Sequence, residues 1–224
     1  MSREALNDTS ELIATLSVAR FSTYRAAAGD DDELGLELYA WHARLASALM
    51  LPAHFAEVAT RNAVSDALTA TYGERWPWSP GFERSLPDPA HGYSPTRDLR
   101  DVRRYHHTTG KVIAELKFVF WQKLFTARHD DRLWRSRIET VFPNAEAGIA
   151  PSALRSRVYE DLEVIRRLRN RLAHHEPVFA RDPTADLARI MEMIELRSAA
   201  TADWVREMET VTVLLVERPE LSAG

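Results

Sequence analysis

The chain contains no cysteine, so disulfides, thiolate catalysis and thiolate-held metals are excluded. No apolar run is long enough to span a bilayer, which predicts no membrane partner. The opening residues "MSREALNDTSELIATL" lack the basic-then-apolar layout of a signal peptide, and the expected location is the cytoplasm. Glycine is scarce, at 8 of 224 residues, and five of the eleven prolines fall between residues 73 and 95. Strand signals are few. P-loops, serine-hydrolase elbows and dinucleotide fingerprints are absent.

What is present is helical periodicity over a chain that is 45% hydrophobic. Asp8 and Glu11 read as a capping box for a first helix reaching Ala28. A second helix spans 33–51, is interrupted by Pro52, and is followed by another over 53–72 that stops at Gly73. The Pro-, Gly- and aromatic-rich stretch 73–95 reads as an irregular loop packed on the body. "TGKVIAELKFVFWQKLF" predicts one apolar helix central to the core, with Val112, Leu116, Val119 and Phe120 on one face. A further helix opens at Pro151-Ser152 and closes at Pro177. Asp182-Pro183 begins the next, and the last ends near Pro219. The expectation is one all-α domain over 1–224, with an N-terminal helical extension.

The net charge of −4 argues against a protein that coats nucleic acid non-specifically. Positive charge is nevertheless concentrated locally: residues 155–171 hold six arginines and three acids. On a helix, Val158, Leu162, Ile165 and Leu172 form an apolar stripe, and Arg169 falls within it. A guanidinium there needs an anionic partner, either a carboxylate of the core or a phosphate. Asn170 and His174 lie one turn apart, as do Arg171 and His175. The histidines also suit a plain role at a helix C-terminus, where the dipole favours a cation. His174, His175 and Glu176 point about 100° apart in succession and cannot converge on one metal ion. No metal and no cofactor is expected.

"RNRLAHHEPVF", together with "GKVIAELKFVFWQKLF" and "EVATRNAVSDALTATYGERW", resembles the Abi-like (abortive-infection) proteins within the HEPN superfamily of all-α domains. The resemblance covers about Tyr39 to Phe179. It departs at Val119, where a small residue, usually glycine, is expected between the two aromatics. It implies a HEPN-like helical bundle and a metal-independent endoribonuclease of a toxin or phage-defence system, cutting RNA by 2′-OH attack. In this reading Arg169 holds the scissile phosphate, His174 is general base or acid, and Asn170 orients one of them. Arg166, Arg171 and His175 contact the backbone, and the Arg61-Asn62 pair lines the same groove. An ideal helix sets Arg169 and His174 about 140° apart, so the resemblance implies a homodimer with a composite site. An antitoxin is a further partner it allows. The alternative is a catalytically silent HEPN module that binds RNA, nucleotide or a protein and uses Arg169 as an anchor.

Overall fold

The computed structural model describes residues 3–221, with side chains from residue 8 onward. Residues 1, 2 and 222–224 of the expected 1–224 domain lie outside the described residues. Every regular element among the described residues is helical. Twelve α-helices follow one another: α1 (Arg3–Leu16), α2 (Val18–Ala27), α3 (Asp32–Tyr72), α4 (Pro80–Ser85), α5 (Pro95–Tyr105), α6 (Thr109–Glu115), α7 (Phe118–Lys123), α8 (Arg135–Val141), α9 (Pro151–Ala173), α10 (Pro183–Arg197), α11 (Ala199–Met208) and α12 (Val211–Val216). None is long and apolar enough to cross a membrane.

The chain forms two compact units, and both α3 and α9 supply residues to each. The first unit takes residues up to Leu51, Arg171–Thr184 and the segment from Glu209. Its core is Phe21, Tyr24, Leu38, Trp41, Leu45, Leu172, Val178 and Val211, all buried. The Trp41 indole N–H donates to the Leu214 carbonyl at 2.7 Å, tying α12 to α3. Gly35 is required where α2 meets α3: a Cβ there would sit 2.9 Å from the Phe21 ring.

The second unit comprises Pro52–Asn170 and Ala185–Met208. Large rings dominate its core. Trp76 meets Phe82 edge-on at 5.3 Å, and Phe125 stacks on Trp134 at 4.3 Å. Two of its three fully buried indoles find acceptors, Ser65 Oγ at 3.2 Å for Trp76 and the Leu124 carbonyl at 2.6 Å for Trp134, while Trp121 Nε1 has none among the described residues. From α9 come Leu154, Val158, Leu162, Ile165 and Leu168, all fully buried.

Several local expectations need correction. The first helix is split at Ser17, which adopts φ 68° and caps α2 by accepting the Arg20 N–H. Asp8 and Glu11 therefore lie inside α1 and not at a helix start. Pro52 does not interrupt α3. Its missing N–H forfeits one hydrogen bond, yet Pro52 is buried and the helix runs on through it. The 73–95 stretch is not wholly irregular, holding a 3-10 turn at Trp76–Trp78 and α4. Its packing matches expectation, with Trp76 and Phe82 buried.

The helix expected through "TGKVIAELKFVFWQKLF" is broken: Leu116 and Lys117 are extended between α6 and α7. Leu116, Phe118, Phe120, Trp121, Leu124 and Phe125 are all buried, more apolar bulk than one stripe of a single helix can hide. Breaking the helix lets both segments face the core. Finally, α9 ends at Ala173, four residues before Pro177. The premise of the 140° separation, a helix running through His174, does not hold. Leu168 occupies the buried stripe, and Arg169 sits at its margin with a side chain 39% exposed.

Candidate functional site

Four residues singled out from the sequence line one cleft of about 330 Å³ in the second unit: Arg61, Arg166, Arg169 and Asn170. α3 supplies Arg61 and Glu57, and α9 supplies the other three. The opposite wall is the break between α6 and α7, from Ala114 to Val119. That break matters chemically. It ends α6 with carbonyls no helical N–H satisfies, and Arg61 Nη1 donates to one of them, Ala114 O, at 3.1 Å.

The anionic partner of Arg169 is the Glu57 carboxylate, whose Oε2 lies 3.5 Å from Arg169 Nε. Its Oε1 accepts from Arg61 Nη2, one helical turn along α3. Glu57 is thus a nearly buried carboxylate, 9% exposed, held between two guanidiniums. Arg61 Nε is buried with no acceptor among the described residues. Lys117 adds a further cation at the lip, 3.6 Å from Asp98, and Glu115 a second carboxylate. Lining cations outnumber lining carboxylates by four to two, with Asp98 and Glu163 pairing Lys117 and Arg166 from outside the lining.

Arg166 is more firmly anchored. Its Nη2 reaches both Glu163 oxygens at 2.9 Å, and its Nε donates to Gln122 Oε1 at 3.0 Å. Burial pushes the Glu163 carboxyl up, but hydrogen bonds from Arg166, Gln122 and Arg167 outweigh it and hold the group at about 2. This network orients Arg166 at the cleft while spending much of its hydrogen-bonding capacity.

The other expected residues lie elsewhere. Asn62 is exposed and does not line the cleft. Arg171, His174 and His175 belong to the first unit, where they terminate α9. The His175 N–H bonds Leu172 O at 3.1 Å, and the Glu176 N–H bonds Arg171 O at 2.8 Å. With His175 left-handed at φ 55°, this is a Schellman cap carrying histidine where glycine is usual. Arg171 closes it, donating from Nη2 to the Pro177 carbonyl at 2.9 Å and pairing with Glu176. His174 is the exposed residue between helix and cap. Among the described residues no three His, Asp or Glu side chains gather as metal ligands.

Sequence reasoning missed Glu57, Glu115 and Lys117. A signal for Glu57 was available: Glu57-x3-Arg61 is an i,i+4 acid–base pair on a helix. At this level the chain is an all-α protein with an arginine-rich cleft. No protein-family model, curated protein or solved structure matches it.

Proposed function

We propose that this protein is a metal-independent endoribonuclease of the Abi-like kind, acting in a toxin or phage-defence system. The supporting observation is the convergence of Arg61, Arg166, Arg169 and Asn170 on one polar cleft. Such a cleft suits a phosphodiester: the guanidiniums bind its oxygens and stabilise the charge that grows as phosphorus becomes five-coordinate. The nucleophile is the RNA's own 2′-OH. His174, the exposed imidazole after α9, takes the 2′-OH proton or returns one to the departing 5′ oxygen. A second copy's His174 fills the complementary role in a homodimer. The 2′-oxygen bonds to phosphorus as the P–O5′ bond breaks, leaving a cyclic phosphate and a free 5′-OH.

The test is incubation of RNA with purified protein in EDTA, comparing wild type, His174→Ala and Arg169→Ala on denaturing gels, with the mass in solution measured by light scattering. Cleavage by wild type alone, from a dimer, is the expected outcome. Equal cleavage by the His174 variant ends the proposal. The second reading, a silent module that binds RNA, nucleotide or a protein, draws on Glu57: its carboxylate already neutralises Arg169, which therefore has a partner without any phosphate. Salt-dependent RNA binding with no cleavage by wild type is its signature.

A further inference from the structure

A second cavity, of about 440 Å³, lies wholly within the first unit. Its size falls in the range of small-molecule sites. α2 and α3 build one wall from Tyr24 and Tyr39, whose rings sit 4.6 Å apart, tilted by 55°. Tyr24 cannot swing. Its hydroxyl is 2.9 Å from His42 Nδ1, and His42 Nε2 accepts the Val178 N–H at 3.1 Å. Because Nε2 is an acceptor, the imidazole proton is on Nδ1 and is donated to the tyrosine oxygen. Burial lowers the His42 pKa, which keeps the ring in that neutral form, and burial with the nearby Tyr39 pushes the Tyr24 phenol up to about 12. Tyr24 is thereby held in place and uncharged.

Also lining the cavity, Ala43 and Ala46 follow one another at i,i+3 on α3, and their short side chains leave room. Beside the Tyr24, Tyr39 and His42 rings the polar lining comes from Arg20, Ser47 and His175, and among the described residues no carboxylate lines the cavity. Arg20 spends one N–H on the His175 carbonyl, at 3.3 Å. His175 is also the left-handed residue of the α9 cap, a conformation costing on the order of 1–2 kcal/mol outside glycine. The fitting ligand is flat, apolar on its faces, able to hydrogen-bond at its edges and negatively charged. An aliphatic chain uses neither the aromatic wall nor the guanidinium.

We infer that this cavity is a nucleobase subsite, in which one base of a nucleotide packs on Tyr39 and the adjoining phosphate meets Arg20. The inference deepens the ribonuclease reading, naming a place where a base of the substrate is held, and rests on that reading for its biological sense. Stacking on tyrosine tolerates any base, while Ser47 and His175 at the edge supply the means of preferring one.

The test is calorimetric titration of the full chain with the four nucleoside 5′-monophosphates and with a short single-stranded RNA. Wild type is compared with Ala46→Leu, which fills the cavity, and with Tyr39→Leu, which removes the stacking face at similar volume. We expect at least one monophosphate to bind wild type and to bind each variant about tenfold more weakly. Binding by the RNA but by no monophosphate, or undiminished monophosphate binding by both variants, overturns the inference. RNA cleavage measured on the same samples separates the two readings. Cleavage without monophosphate binding removes the base subsite alone, whereas variant-sensitive binding without cleavage leaves the subsite and removes the ribonuclease.

Discussion

Glu57 and Arg169 form one ion pair, yet losing either should have very different consequences. Arg169 touches the carboxylate at 3.5 Å through Nε, and its side chain is 39% exposed. At that separation the bare attraction is about 5 kcal/mol for an effective dielectric near 20. Solvent screening and side-chain entropy reduce an exposed pair to about 1 kcal/mol or less. Glu57 is 9% exposed and serves two guanidiniums, one of which, Arg61, is only 20% exposed. Removing that carboxylate strands a largely buried cation beside a second one, costing about 3 kcal/mol. For a chain of this size about 1 kcal/mol moves the melting temperature by ~2–4 °C. Arg169→Ala should therefore lower Tm by about 2–4 °C and Glu57→Ala by about 6–12 °C.

The assay is thermal melting by circular dichroism, backed by urea titration to check that the m-value is unchanged. RNA affinity is measured in parallel. If Arg169 serves a phosphate, its loss weakens RNA binding far more than it weakens the fold. A Tm drop for Arg169→Ala equal to that for Glu57→Ala refutes this reasoning, because it makes Arg169 a structural counterion and nothing more.

Three further outcomes follow from local chemistry. His129 is 3% exposed, and burial, helped by Arg128 and Arg132, lowers its pKa to about 4. The unfolded chain takes up that proton first, so the contribution is complete above pH 6.5 and is lost as pH falls towards 4, about 3 kcal/mol in all. Urea unfolding at pH 7 and pH 5 should differ by about 2 kcal/mol more in wild type than in His129→Leu; equal differences dismiss the effect. His175→Gly should raise urea-measured stability by about 0.5–1 kcal/mol by relieving the left-handed backbone, and a loss of stability would show the imidazole to be a packing element. Glu163→Gln should cost about 2 kcal/mol in the same assay, because the carboxylate receives Arg166, Arg167 and Gln122 together; a neutral result would mean those donors find water as readily.

The all-helical class was readable because it rests on periodicity repeated over many turns, where local errors average out. The starts of α9 at Pro151 and α10 at Pro183 were readable too, since proline at a first helical position carries its own reason. Single-residue decisions were not. Nothing in Leu116-Lys117 resembles a helix breaker, and Pro52 resembles one strongly, yet burial reverses both. The two units are equally hard to see, because each gathers segments far apart in sequence and no linker composition marks the passage.

The same contrast governs the candidate site. Arg169 could be singled out because an arginine on an apolar stripe demands an explanation, whereas Arg61, Arg166 and Asn170 were singled out through the family resemblance alone. Glu57 satisfies part of that demand from 112 positions away, a pairing that periodicity along one helix cannot reveal. His174 poses the opposite difficulty. Its spacing from Arg169 is conspicuous only if the helix continues, and the helix stops because His175 turns left-handed two residues before Pro177. A residue before proline is already biased away from helical angles, and here the reversal comes one residue earlier, with Arg171 bracing the turn. The short Arg-to-His pattern therefore spans two local structures: a helical part whose cations meet a resident carboxylate, and a capping turn whose imidazole stands in solvent.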